Sequence, residues 1–215
     1  MTPQVHHLLT SSTRGMSSAA PSEQLRPKAS RGVRETALFG YNLELKRTIR
    51  IPTMGADISI SDEITNLGFL EDEYAVLYHC NFGYPLISEK AHLELPEKRK
   101  TTPRTPFAAT GLGKETTFEA PTPGEEERVF FHEEMEHKAA LVNENIHTRV
   151  EMTWSDSLPI LAHWRSMACG DYVCGLEPTN CYIMGRKFER ENGTLPKLGS
   201  FETVKTEITF HFETI

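Results

Sequence analysis

The chain has 215 residues, of which 38% are hydrophobic, and its formal net charge at pH 7 is −7. This length is enough for one domain with a buried core. The acidic balance argues against a nucleic-acid partner, because phosphate binding needs Lys and Arg clustered on one face and the sequence shows no such stripe. No apolar run reaches the roughly 18 residues of a membrane helix, and the N-terminus lacks the apolar stretch of a signal peptide. We therefore expect a soluble protein with no membrane partner.

Residues 1–34 differ in composition from the rest of the chain. They are rich in Ser, Thr, Ala and Pro, and they carry five Lys or Arg side chains against a single acid, Glu23. We predict a disordered tail over 1–34, which leaves one domain over 35–215. An organelle transit peptide is the alternative, but no amphipathic stripe supports it.

From Leu43 onward, apolar residues alternate with polar ones, which predicts half-buried strands. Leu43, Leu45, Ile49 and Ile51 share one face of the first strand. Further strands are predicted at 58–60, 74–81, 150–154, 171–177 and 203–213. A helix is predicted only within 125–145, and a long loop over 96–127, which is dense in Pro, Thr, Gly and charge. Many short strands separated by turns indicate an all-β sandwich or partial barrel of mostly antiparallel strands.

Two of these strands end in polar residues that can move protons. Successive side chains of a strand point to opposite sides, so His79 shares a face with Asn81, and Glu177 shares a face with Gly175. The glycine removes a side chain beside the carboxylate and leaves room for a ligand. A histidine and a carboxylate are suited to acid and base catalysis near neutral pH. A hydrogen-bonded core histidine and an exposed strand-end glutamate are the alternative interpretations.

The same segments resemble the galactose mutarotase-like superfamily, in particular a poorly characterised aldose 1-epimerase-like branch. They occur in the family's order, with comparable separation, within about residues 43–200. The segments are Arg47-Thr48-Ile49, Ile64-Thr65-Asn66-Leu67-Gly68-Phe69, Tyr78-His79-Cys80-Asn81-Phe82-Gly83-Tyr84-Pro85-Leu86 and Gly175-Leu176-Glu177-Pro178-Thr179-Asn180.

The resemblance implies a β-supersandwich with a monosaccharide site on its concave face. By position, His79 would be the general acid and Glu177 the general base of an isomerase that interconverts sugar anomers by ring opening. The resemblance implies neither a metal nor an organic cofactor. Asn81, Asn180 and Arg186 would hydrogen-bond sugar hydroxyls, although turn capping is an equal alternative for the asparagines. Trp164, together with Trp154, would stack on the sugar, or else belong to the core.

The chain departs from the family in two ways. The N-terminal part of the sandwich, which supplies an arginine and a second histidine to the sugar site, has no matching positions. Residues 85–155 contain no Asp, whereas galactose-type mutarotases place a sugar-binding aspartate there. An incomplete sandwich exposes sheet edges, which favours homo-oligomers or instability. The alternatives to an isomerase are therefore a non-catalytic carbohydrate-binding protein and a truncated, inactive mutarotase-like product.

The metal-binding and redox signals in the sequence are weak. His132 and His137 are five residues apart, which on a helix places them about 140° from each other, so they cannot chelate one metal ion as an HExxH motif does. Cys80, Cys169, Cys174 and Cys181 match neither a zinc module nor a disulfide scaffold. We expect free thiols in a reducing compartment, by default the cytoplasm, and no metal.

Overall fold

A computed structural model describes residues 28–37 and 40–215. It consists mostly of antiparallel strands, which confirms the all-β fold class. The strands and helices are β1 Lys28–Thr36, β2 Asn42–Arg50, β3 Asp57–Asn66, β4 Asp72–Glu73, β5 Cys80–Gly83, β6 Ala91–Glu94, β7 Lys100–Pro103, α1 Pro106–Ala109, β8 Arg128–Glu133, β9 Lys138–Asn143, β10 Thr148–Trp154, β11 Ile160–Ser166, β12 Val173–Thr179, α2 Arg186–Asn192, β13 Lys197–Leu198 and β14 Thr203–Thr214.

Two sheets pack face to face. The larger has the strand order β1-β2-β3-β14-β10-β9-β6, the smaller has the order β5-β12-β11-β8-β7, and β13 pairs with β4. The core between them is formed by fully buried side chains from both sheets, among them Leu141, Met152 and Ile208 from the larger and Leu161 and Leu176 from the smaller. The architecture is therefore a β-sandwich.

Side-chain alternation gives the smaller sheet an inner and an outer face. Cys174 and Leu176 of β12 lie in the sandwich core, so Gly175 and Glu177 lie on the outer face. Cys80 and Phe82 of β5 likewise pack against the core. A second apolar cluster covers the outer face; it contains Val129, Phe131, Ile160 and Ala162, with Trp164, Tyr182 and Ile183 against it. The outer face is therefore the side of the molecule on which the chemistry-bearing residues lie.

The helix predicted within 125–145 is wrong. This segment forms β8 and β9, joined by a short turn in which Glu134 has a φ of 53°. Residues 129–132 and 139–143 are buried without interruption, so period-two alternation is absent and the sequence is ambiguous between helix and strand. The loop predicted over 96–127 contains β7 and α1. Thr105 caps α1 by accepting a hydrogen bond from the Ala108 backbone N–H.

Two other boundaries differ from the sequence prediction. The predicted limit of the tail at residue 34 falls inside β1, where Lys28–Thr36 pair in continuous register with β2. Residues 1–27 lie outside the described residues, so the tail over them remains a prediction. The strand predicted at 74–81 is only partly formed: β5 begins at Cys80, and Leu77 makes one isolated bridge with Thr179. The cysteines are free thiols. Among the described residues, no helix has the length and apolarity to cross a membrane.

Two buried histidines lie together between the sheets. His132 Nε2 is 3.3 Å from His163 Nδ1, and Thr101 Oγ1 is 2.9 Å from His132 Nδ1. Burial lowers the pKa of His132 to about 4 and lowers the pKa of His163 well below its ordinary value. Both imidazoles are therefore neutral members of the core.

Tyr78 anchors the segment that leads into β5. Its hydroxyl donates to Asp62 Oδ2 at 2.6 Å, and Arg47 binds the same buried carboxylate through Nε and Nη2. Thr206 Oγ1 also contacts the Tyr78 hydroxyl. A buried carboxylate is stable only when it is paired and hydrogen-bonded, and this cluster supplies both kinds of partner. It fixes the backbone immediately before His79.

We expect Tyr78→Phe to lower the free energy of unfolding by about 1–3 kcal/mol, because Asp62 loses a buried hydrogen-bond donor. Urea denaturation followed by circular dichroism measures the change. The matched control is Tyr84→Phe, since Tyr84 is 82% exposed and its loss should change stability by no more than about 0.5 kcal/mol. Equal effects of the two substitutions would contradict the anchoring role.

Candidate active site

The centre of the outer face is a contact between a histidine and a buried glutamate. His79 Nε2 lies 3.1 Å from Glu177 Oε1; the side chain of His79 is 54% exposed and that of Glu177 is 3% exposed. The two groups are in contact without the alignment of a hydrogen bond, and among the described residues Oε1 has no hydrogen-bond donor. A buried carboxylate oxygen without a donor is uncommon and indicates a role other than packing.

The surroundings of Glu177 make it a stronger base. Burial raises the pKa of Glu177 because it disfavours the charged form, His79 lowers it, and Glu127 raises it further; the net direction is upward. A carboxylate whose pKa is raised towards the working pH holds an abstracted proton more firmly.

Asn81 orients the histidine. Its Oδ1 lies 2.8 Å from His79 Nδ1, so it can accept a hydrogen bond from an Nδ1–H. Asn81 stands opposite Gly175 in the β5–β12 register, which places it beside Glu177 on the same face. With Nδ1 occupied by Asn81, Nε2 is the ring nitrogen that faces Glu177.

Gly175 provides the space in which these groups meet. A Cβ at this position would lie 2.6 Å from Glu177 Oε1, 3.1 Å from Trp164 Cε3 and 3.3 Å from Asn81 Oδ1. The first of these distances is shorter than any real Cβ contact. The geometry therefore agrees with the sequence expectation that a glycine beside the carboxylate keeps the site open.

Trp164 forms one wall of the site. It stands opposite Gly175 in the β11–β12 register, and its ring centre is 5.7 Å from that of His79 at an interplanar angle of 66°. Its indole N–H donates to Glu127 Oε2 at 2.7 Å. Sequence reasoning missed Glu127, because it follows two other glutamates in a segment predicted as loop and nothing in the pattern distinguishes it.

The other expected site residues lie elsewhere. Asn180 accepts a hydrogen bond from the Val76 backbone N–H at 2.9 Å and contacts the carbonyl of Tyr74, in keeping with the capping alternative. Arg186 begins α2 and lines a separate cavity that does not include His79 or Glu177. Trp154 belongs to the sandwich core. Of the sequence-predicted residues, the structure brings together His79, Asn81, Trp164 and Glu177.

We expect Gly175→Ala to displace the Glu177 carboxylate while the fold survives, because the atom that its Cβ meets first is the end of a side chain that can rotate. A crystal structure of the variant would show the loss of the contact between Glu177 Oε1 and His79 Nε2. Gly83→Ala on β5 is the matched control, since its Cβ would meet only the Tyr172 carbonyl oxygen, at 3.9 Å. An undisplaced Glu177 in Gly175→Ala would show that the glycine does not shape the site.

Solved structures share this sandwich. A Klebsiella pneumoniae protein provisionally named an aldose 1-epimerase matches with a TM-score of 0.83 at 24% identity, over 90% of this chain and 52% of that one. The Slr1438 protein of Synechocystis matches with a TM-score of 0.68 at 17% identity, over 91% and 64% of the two chains. A galactose mutarotase-like protein of Clostridium acetobutylicum gives 0.60 at 18% identity, over 87% and 63%. The chain thus spans about half to two thirds of their lengths.

These identities show the fold alone, and they confirm the resemblance to galactose mutarotase-like proteins. No curated protein matches the chain in sequence. The family model described as "Domain of unknown function (DUF4432)" matches residues 13–212. The chain therefore belongs to the DUF4432 family and has the galactose mutarotase-like β-sandwich fold.

Proposed function

We propose that the chain is an isomerase of the aldose 1-epimerase type, which binds a monosaccharide and interconverts its anomers by opening and closing the ring. The observation that carries this proposal is the contact between His79 Nε2 and the buried Glu177 Oε1. The fold shared with mutarotase-like proteins supports it.

The closeness of the two groups suits this reaction. The anomeric oxygen and the ring oxygen of an aldose are bonded to the same carbon, so an acid and a base that act on them must lie side by side. Glu177 Oε1 is a buried acceptor without a donor, and the anomeric hydroxyl would supply the missing hydrogen bond. The site therefore presents an acceptor and a proton carrier at adjacent positions.

In the proposed reaction, the Glu177 carboxylate removes the proton from the anomeric hydroxyl. The electron pair of that O–H bond forms the carbonyl, the bond between the anomeric carbon and the ring oxygen breaks, and the ring oxygen takes the proton of His79 Nε2. Rotation about the bond between C1 and C2 presents the other carbonyl face, and the same steps in reverse give the second anomer. His79 Nδ1 keeps its hydrogen bond to Asn81 throughout. Each positioned group contributes roughly 10²–10⁴ in rate.

Trp164 gives the sugar a surface to lie on. Indole faces pack against the apolar C–H faces of pyranose rings, and the hydrogen bond to Glu127 holds this indole in place. The ring is close enough to His79 for a sugar that rests on it to reach the catalytic pair.

We expect Glu177→Gln to lower anomer exchange by roughly 10²-fold or more, because the amide cannot take the proton. NMR saturation transfer between the anomers of D-glucose, D-galactose and D-mannose measures the rate. Glu213→Gln, near the end of β14 in the other sheet, is the control. The folded protein holds the Glu177 proton more tightly than the unfolded chain does, so its carboxylate disfavours folding as pH rises above 4.5, and Glu177→Gln should be no less stable at pH 7.

Exchange within a few-fold of the parent protein in Glu177→Gln would exclude Glu177 as the base. Sugar binding without any exchange in the parent protein would instead favour a non-catalytic carbohydrate-binding protein.

The pH dependence gives an independent test. The base must be ionised, and burial raises the pKa of Glu177 above its ordinary 4.5, so protonation removes the base at a higher pH than it would for an exposed glutamate. We expect kcat/KM to fall on the acid side with a midpoint above pH 4.5. Initial rates between pH 4 and 8, on protein shown to be folded at each pH, measure the midpoint. A midpoint at or below 4.5 would contradict the assignment.

A further inference from the structure

The site has an acidic lining beyond its catalytic pair. Glu127 stands immediately before β8, is itself exposed, and binds the indole N–H of Trp164 through Oε2. The indole in turn lies against His79 and beside Gly175. A sugar resting on Trp164 would therefore have the buried carboxylate of Glu177 on one side and the exposed carboxylate of Glu127 on the other.

Glu127 also acts on Glu177 through its charge. Among the described residues, the two charged groups that act on Glu177 are His79, which lowers its pKa, and Glu127, which raises it. Neither is a lysine or an arginine. These three groups are thus two carboxylates and one imidazole.

Three cations near the smaller sheet are engaged or distant. Lys100 on β7 lies 3.6 Å from Glu133, and Arg186 lines the separate cavity at α2. Arg104 extends the β7–β8 pairing opposite Val129, three strands from β12, which is roughly 14 Å at ordinary strand spacing. A bound anion would therefore meet the carboxylates of Glu127 and Glu177 beside the single imidazole of His79, and none of these three cations.

We propose that Glu127 makes the site selective for uncharged monosaccharides, by holding Trp164 as the sugar platform and by repelling substrates that carry a phosphate or a carboxylate. This inference rests on the proposed function and specifies its substrate class. Sugar hydroxyls are hydrogen-bond donors and suit a site rich in acceptors. An anionic group placed in the same site is repelled by two carboxylates, and its partial dehydration is not offset by a lysine or arginine among the cations named above. The site would therefore discriminate against charged substrates.

The experiment compares each sugar with its charged counterpart. Anomer exchange is measured for D-glucose, D-galactose and D-mannose, for their 6-phosphates, and for D-glucuronate. We expect the parent protein to favour the neutral member of at least one pair by tenfold or more in kcat/KM. Glu127→Gln keeps an oxygen for the indole N–H and removes the charge. The ratio of kcat/KM for the neutral sugar to that for its charged counterpart should therefore fall at least threefold.

Comparison of Glu127→Ala with Glu127→Gln separates the effect of the charge from that of the hydrogen bond to Trp164. Glu127→Ala removes the hydrogen-bond acceptor of Trp164 as well as the charge, and should raise KM for the neutral sugar. In Glu127→Gln the acid midpoint of kcat/KM should move to lower pH, because a like charge near Glu177 is gone. Glu126→Gln, which changes the adjacent exposed glutamate, should alter neither preference nor midpoint.

The outcomes distinguish this inference from the proposed function. Equal or faster exchange of the 6-phosphates or of D-glucuronate would overturn the inference and leave the isomerase in place. The inference would also be overturned if the preference for neutral sugars were unchanged in Glu127→Gln and lost in Glu127→Ala. Glu127 would then act only through its hydrogen bond to Trp164 and not through its charge. If no sugar exchanges, the isomerase proposal fails, and titration of Trp164 fluorescence with the same pairs decides the inference. The inference is sustained if the protein binds neutral sugars more tightly than charged ones and if this difference is smaller in Glu127→Gln. Equal binding of both, or no binding, overturns the inference.

Discussion

The outer face of the smaller sheet depends on one constraint, the burial of a carboxylate that forms no ion pair with a lysine or arginine of residues 28–37 and 40–215. Glu177 lies on β12, between β5 and β11, and is shielded from water by its neighbours on those strands. His79 is the group that offsets its charge, and Gly175 leaves the space for the two to meet. The neighbouring strands complete the site: Asn81 on β5 binds His79, and Trp164 on β11 lies opposite Gly175.

The molecule treats two of its buried carboxylates, Asp62 and Glu177, in opposite ways. Asp62 receives hydrogen bonds from Arg47 and from the Tyr78 hydroxyl, so its charge is fully compensated. Glu177 has a histidine in contact and an oxygen without a donor. The first arrangement is that of a paired and hydrogen-bonded buried charge, and the second is the one on which the proposed acid and base chemistry rests. Tyr78 and His79 are consecutive in the chain, and their side chains point to opposite sides. Tyr78 therefore joins the stabilising cluster, and His79 contacts Glu177.

Much of the sandwich could be predicted from the sequence, because β2, β3, β10 and β14 each have one polar and one apolar face. β8 and β9 could not, since they are buried on both faces and lose the period of two. His79 and Glu177 could be paired by alternation and by the resemblance, but their contact depends on the β5–β12 register, which is a long-range property. For the same reason Asn180 and Arg186, close to Glu177 in sequence, point away from it, and Glu127, distant in sequence, lies near it.

The neutral pair of His132 and His163 makes the whole sandwich sensitive to acid. Their native pKa values lie below the ordinary 6.5, so the unfolded chain takes up protons first as pH falls from about 6.5 towards 4, and the native state loses stability over that interval. Glu177 has the opposite tendency, because its charge disfavours folding as pH rises. The core and the site therefore respond to acid in opposite ways. Acid destabilises the fold through two imidazoles that lie outside the site, while protonation of Glu177 removes a charge that disfavours folding.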